Sequence, residues 1–163
     1  SRMEYDAGIH RRLIAHVHAM SLELLAARTL QDLHHILRRD LKVNYSADKV
    51  LLLIFTRARN GKFREELTLH DPGSSLCRMF AELFQRDKPL CGSLQEEHLQ
   101  ALFGADCEEI KSTVLLPYAC AEWRELLVLG SYTENRYSHG FELDLLEFLN
   151  MLLNNAIRKS LKE

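Results

Sequence analysis

Apolar residues recur at helical spacing at both ends of this chain and run unbroken or alternate in its middle. From Tyr5 to Arg28, Ile9, Leu13, Val17, Met20, Leu24 and Ala27 fall three or four apart, and Ile14, Ser21 and Leu25 widen the same face. The spacing predicts an N-terminal helix over residues 3–28. Thr29 and Asp32 then stand in the capping-box relation: a hydroxyl accepts from the backbone three residues on, and the carboxylate reaches back. A second helix therefore starts at "LQDLHHILRRDL", with Arg38 and Arg39 read as its basic end.

The run from Val50 to Phe55 has no polar position to offer water, so it reads as a central strand covered on both sides. Asn60-Gly61 is a favoured hairpin turn and leads to an alternating partner around Phe63 to Leu69. Asp71-Pro72-Gly73 marks a turn, and a serine cap opens a short helix to about Arg86. A brief strand near Pro89 to Cys91 follows, then Ser93 as the cap of an amphipathic turn. "STVLLPYA" and "ELLVLGSY" read as an antiparallel pair of buried strands, and the loop "TENRYSHG" leads to a final helix over residues 141–161. A helix at each end flanking an antiparallel sheet predicts a three-layer α+β domain rather than alternating βαβ units. At 163 residues, with three prolines and no linker, one domain over residues 1–163 is expected.

Charge narrows the partners. A formal net charge of −2 gives no general attraction to phosphate backbones or anionic lipid, so nucleic acid is not expected. The local basic run Arg57, Arg59, Lys62 and Arg64 brackets Asn60-Gly61 and reads as a solvated hairpin tip. No apolar run approaches the roughly 20 residues of a membrane span. The chain opens on Ser1 rather than methionine, which leaves room for a preceding segment; with that reservation a cytoplasmic protein with reduced thiols is expected.

Candidate chemistry is sparse. Cys77, Cys91, Cys107 and Cys120 are too scattered for a zinc knuckle or a thioredoxin-like motif. The pairs His16 with His18 and His34 with His35 lack the i,i+4 spacing that puts two ligands on one helix face, so they read as surface or interface residues and no metal is expected. Cys91 could be a nucleophile beside a helix start, or a small buried hydrophobe; the second reading is preferred. No phosphate loop, acid pair or cofactor motif is present, so no catalytic residue and no cofactor is assigned.

The segments "CGSLQEEHLQALFG", "STVLLPYA" and "LLVLGSYTENRY" together resemble the bacterial domain-of-unknown-function 484 family, whose members are GAF-like. The matching positions are Cys91-Gly92, Leu94, Glu97, Leu102-Phe103-Gly104, Leu116-Pro117 and Leu129-Gly130-Ser131. Arg136-Tyr137, followed by an acidic, leucine-rich helix, is similar to the closing segment of GAF domains. Tyr118 and Ser138-His139 depart from the family pattern. The resemblance implies a central antiparallel sheet of five to six strands, with terminal helices on one face and short helices and loops on the other, and a regulatory rather than catalytic role.

The function expected is therefore a non-catalytic sensory or regulatory module that binds a small cytoplasmic ligand or a protein. Its candidate pocket is Phe55, Phe63, Cys91, Phe103, Leu116, Tyr118 and Trp123. The last helix is apolar around much of its circumference, more than one sheet face can cover, which suggests a partner helix and a homodimer. Leu13, Val17, Met20, Leu24, Leu146, Leu153 and Ile157 are the candidate interface. Two alternatives stand beside this reading. Free-methionine-sulfoxide reductases are also GAF-like, and Cys91 with Cys107 would be the pair such an enzyme uses, although "GADCEEIKS" departs from that family's order. The other is an interaction scaffold whose pocket is filled by side chains.

Overall fold

The computed structural model describes residues 2–57, 61–64, 66–137 and 140–161; Asn60 and Ser138-His139, and the side chain of Phe63, lie outside that description. Helix α1 (Arg2–Ala26) is followed by α2 (Leu30–Asn44), β1 (Lys49–Thr56), β2 (Gly61–Arg64) and β3 (Leu67–His70). Then come α3 (Ser75–Met79), α4 (Ala81–Arg86), β4 (Leu90–Gly92) and α5 (Glu96–Phe103), which runs into a 3-10 turn at Gly104–Glu109. Strands β5 (Ser112–Ala119) and β6 (Trp123–Ser131) and helix α6 (Phe141–Leu161) complete the chain.

The six strands form one sheet in the order β2-β3-β1-β6-β5-β4. β1 lies inside it, paired along all eight residues with β6 in antiparallel register, from Lys49 opposite Gly130 to Thr56 opposite Trp123. Its other neighbour corrects the hairpin reading. β3 runs parallel to β1, Leu52 opposite Leu67, and it is β2 that forms the antiparallel pair with β3. The segment taken as one alternating partner is two strands. The β2–β3 ladder is interrupted by a register shift between Lys62 and Arg64, and Leu67 and Leu69 supply the buried face that β1 needs beside it.

Period-two alternation sends successive side chains of the central strands into two separate cores. Val50, Leu52 and Ile54 of β1, Val114 and Leu116 of β5, and Leu127 and Leu129 of β6 meet α1, α2 and α6. Leu51, Leu53 and Phe55, with Leu115, Leu126 and Val128, meet α3, α4 and α5. Terminal helices on one face and short helices on the other is the layering that the resemblance implied. Each fully buried leucine contributes about 2 kcal/mol from area removed from water.

Local signals explain where the elements start. Thr29 accepts from the Asp32 amide at 3.0 Å while the Asp32 carboxylate accepts from the Thr29 amide at 3.2 Å, the expected box, and the Thr29 hydroxyl, then the Arg28 and Thr29 amides, hold the Asp32 carboxyl below its usual range. That helix continues to Asn44, so Arg38 and Arg39 lie mid-helix and Lys42 is the basic residue of the last turn. Arg39 instead pairs with Glu23 of α1 and Asp40. Ser74 caps α3 by accepting from the Cys77 amide. Ser93 is not a cap: α5 begins at Glu96 with Gln95 before it, and no side chain bonds the free amides. His34 is buried rather than on the surface, with Nε2 3.3 Å from the Val50 carbonyl.

The Arg136-Tyr137 pair ties the closing loop into the helix layer. The Arg136 guanidinium donates to the Tyr45 carbonyl at 2.7 Å and to Glu142 at 3.0 Å, and lies over the Tyr137 ring, 4.9 Å from its centroid. The Tyr137 amide donates to the Ser112 hydroxyl. One short loop thereby fixes the end of α2 and the start of both β5 and α6.

Candidate ligand site between the short helices

On the face opposite the long helices, the sheet floor is paved by aromatic residues. Phe55 lies edge-on to Phe84 with centroids 5.8 Å apart and stacks with His70 at 5.3 Å. The Arg124 guanidinium sits 5.6 Å from the centroid of Phe84 and donates to the Cys77 sulfur at 3.6 Å. Phe103, at the end of α5, folds onto Gly130 of β6. A Cβ there would lie 2.9 Å from the ring and 3.0 Å from Ile110, so the missing side chain is what lets α5 approach the sheet. Gly104 then reverses the chain at φ 58, a left-handed conformation that glycine takes without strain.

The floor is filled, but the space between the helices above it is open. A cleft of about 310 Å³ runs between α3–α4 and β4–α5. Met79, Phe80, Leu83 and Leu94 give it apolar walls, and Arg86, Lys88 and His98 stand at its margin with Glu82. The His98 ring lies 5.3 Å from that of Phe80. Leu94 is a shared wall: beyond it is a more polar cleft of about 380 Å³ lined by Ser93, Lys111 and Thr113. An apolar body with a negative end is the shape and charge the first cleft can take.

The residues expected to line one pocket are parted by the sheet. Phe55 and Phe103 belong to the short-helix face. Leu116, Tyr118 and Trp123 belong to the long-helix face, where Tyr118 and Trp123 pack ring against ring at 4.9 Å. Cys91 also turns to the long-helix side, and burial, then Glu142 and Glu147, push its thiol up, which disfavours a thiolate. Cys107 packs on the opposite face. All four cysteines are free thiols. The cleft residues Arg86, Lys88 and His98 carried no sequence signal, because three basic residues on separate elements converge only through the turn from α4 to β4.

The candidate interface residues are likewise spent inside one chain. Val17, Met20 and Leu24 of α1 and Leu146, Leu153 and Ile157 of α6 are buried in the long-helix core, and Leu13 packs partly buried against it. None of the six fully buried residues can face a second copy. Among the described residues, the large apolar side chains that these two helices leave exposed are Ile14, Leu22 and Leu25 on α1 and Phe148 and Met151 on α6.

Among the described residues, no His, Cys, Asp and Glu side chains group closely enough to hold a metal ion, and no helix is long and apolar enough to cross a membrane.

This sheet order, with long helices behind it and short helices before it, is that of GAF domains. The chain is similar to the solved phycoerythrobilin-bound GAF domain of a cyanobacterial phytochrome, at 18% identity and a TM-score of 0.54 over 94% of each chain. It is also similar to a far-red absorbing protein solved in its dark state with bound biliverdin, at 14% identity and a TM-score of 0.62 over 89% of this chain and 98% of that one. A third similar structure, the VqsR LBD domain from Pseudomonas aeruginosa, gives 16% identity and a TM-score of 0.50 over 87% of this chain and 96% of its own. Residues 2–160 match the family described as protein of unknown function, DUF484, and the chain belongs to that family. Among curated proteins none matches it.

Proposed function

We propose that this chain is a non-catalytic sensory or regulatory GAF-like module that binds a small carboxylate-bearing ligand between its short helices and acts as a homodimer through its terminal helices. The cleft beside Phe80 and Leu83 carries the ligand half of this reading: apolar walls with Arg86, Lys88 and His98 at the margin favour an amphiphile with an anionic end. Two of the similar structures hold bilins, and that likeness supports ligand binding as the use of the fold. A cleft of about 310 Å³ suits a smaller molecule than a tetrapyrrole. Ile14, Leu22, Leu25 and Phe148 are the surface assigned to the second copy. Free cysteines support a reducing cytoplasm as its compartment.

A thermal-shift comparison of hexanoate, hexanol and hexylamine tests the ligand assignment, since a ligand that binds only the native state raises its apparent stability. Hexanoate should stabilise the wild type more than the other two, and Lys88→Ala with His98→Ala should remove the difference. Equal shifts for all three would count against an anionic ligand.

The scaffold reading has one observation in its favour, the complete filling of the sheet floor by Phe55, Phe84 and Phe103. The reductase reading has none, because Cys91 and Cys107 pack on opposite faces of the sheet.

A further inference from the structure

A third cavity, of about 440 Å³, opens on the α6 side of the sheet. β4 pairs with β5 only as far as Leu115, so residues 116–119 of β5 form an open edge, and the cavity runs from that edge to α6. Pro117 and Tyr118 line it from the edge, Asn150 and Asn154 from the helix, and Asp87 and Glu147 add two carboxylates.

Of two buried amides there, one has an acceptor that the chain leaves without a donor, and the other can stand in either of two orientations. Asn154 is 6% exposed, and its Oδ1 has no hydrogen-bond partner. An orphaned buried acceptor carries its desolvation penalty unrepaid, so its retention in a leucine-rich helix calls for a donor. Asn150, one turn away and equally buried, stands between Pro117 and Glu125, a carboxyl that is itself 0% exposed. In one orientation the Asn150 amide donates to the Pro117 carbonyl at 3.4 Å. Turned over, it donates to both Glu125 oxygens, at 3.0 and 3.1 Å. The first orientation suits a neutral carboxyl, whose O–H donates to Oδ1. The second suits a carboxylate and takes the Asn150 amide away from the Pro117 carbonyl, while Asn154 Oδ1 stays without a donor in either.

We propose that this cavity binds a small aliphatic ammonium compound, which donates to Asn154 Oδ1 and to the Pro117 carbonyl that Asn150 leaves. Asp87 and Glu147 supply the negative charge that favours a cation. Binding turns Asn150 over and is coupled to Glu125: the carboxyl O–H bond breaks, its proton passes to a solvent base, and the carboxylate accepts the Asn150 amide while the ammonium compensates its charge. Burial holds the Glu125 carboxyl well above its usual range, so the proton is there to be released at weakly acidic pH. Tyr118, whose hydroxyl accepts from Arg158 at 3.0 Å, lies opposite Glu125 on β5; Glu147 of α6 and Asp87 after α4 line the cavity itself, and the β1 neighbour Ile54 is apolar. This site is on the other face of the sheet from the short-helix cleft and does not rest on that reading.

The test is calorimetric titration of the full chain with 1,4-diaminobutane and butylamine, with 1-butanol as the uncharged control, in two buffers of different ionisation enthalpy at weakly acidic pH. The amines should bind at millimolar concentration or below, butanol should not, and the heat should differ between buffers by the release of a proton. Asn154→Leu should weaken the amines about ten-fold, the loss expected when a hydrogen-bonding site loses its acceptor. Glu125→Gln should abolish the buffer dependence. Side-chain amide resonances of Asn150 and Asn154 in the wild type give a readout that needs no variant, and both should shift on titration. Absence of amine binding, equal binding of butanol, or unmoved amide resonances would each overturn the site, and binding without proton release would overturn its coupling to Glu125.

Discussion

The two faces of the sheet are closed by opposite means. Behind it, α2 buries all four of its leucines, α1 and α6 add Leu24, Leu143, Leu146, Leu149 and Leu153, and the layer tolerates a fully buried glutamate and two buried asparagines. In front, short helices α3, α4 and α5 seal the floor with aromatic rings but leave clefts between themselves. Long helices bring enough apolar contact to offset a buried polar group, whereas five- to eight-residue helices cover the floor and little more. The back of the sheet is where stability concentrates, and the front is where the fold leaves room for a ligand.

Charge placed in the rear layer should break this contrast hardest. Leu153→Glu buries an unpaired carboxylate at a position with no exposure and should cost about 4 kcal/mol or more by urea denaturation. A loss under about 1 kcal/mol would mean that α6 packs loosely.

The buried Glu125 makes the rear layer sensitive to pH. Its folded carboxyl is held above the unfolded one, which titrates near about 4.3. Below that value both states are protonated and this group takes nothing from stability. As pH rises toward the folded value, only the unfolded chain ionises, so stability falls. Glu125→Gln should flatten that decline, measured by denaturation across the window; parallel profiles for the two proteins would place the carboxylate in contact with water.

On the front face the sharpest probe is Gly130. A methyl group there meets Phe103 and Ile110 at 2.9–3.0 Å, so Gly130→Ala should cost about 1–3 kcal/mol through overpacking and should shift α5. An unchanged unfolding midpoint would show that α5 yields freely.

The sequence carried unequal information about these faces. Thr29 with Asp32 located the start of α2, and the apolar period placed α6 at Phe141–Leu161, because caps and helical spacing are local physics. The run Val50–Phe55 announced a doubly covered strand for the same reason. Pairing was another matter: β3 rather than β2 lies beside β1 and runs parallel to it, which no propensity encodes. The pocket set failed on register. Alternation says that Leu116 and Tyr118 share a face, but only cross-strand pairing decides that Phe55 points the other way. Glu125 had a visible signal, a glutamate inside "WRELLVLGS", and so did Asn150 and Asn154, four apart in a leucine-rich helix. Their meeting required the tertiary fold.

Cys91 separates packing from chemistry at modest cost. Cys91→Ser should lose about 1 kcal/mol while leaving any ligand binding intact, and its thiol should label slowly in the native protein. Turnover of free methionine sulfoxide that the substitution abolishes would restore the reductase reading.

The smallest effect on stability is expected at the exposed rim of the rear layer. Ile14→Glu should change the unfolding free energy by under about 0.5 kcal/mol, yet convert a species of twice the 18.9 kDa chain mass to one chain in light scattering. A wild type that is already monomeric would remove the dimer.

The central claim, that the front of the sheet keeps room for a small molecule, is tested most directly by native mass spectrometry of freshly purified protein beside Leu94→Trp, a substitution that fills the cleft wall. Wild-type chains should carry a non-covalent adduct, and the variant should fly at its bare mass. Bare mass in both, with hexanoate leaving both thermal midpoints unmoved, would contradict the account and leave the front face a packed scaffold.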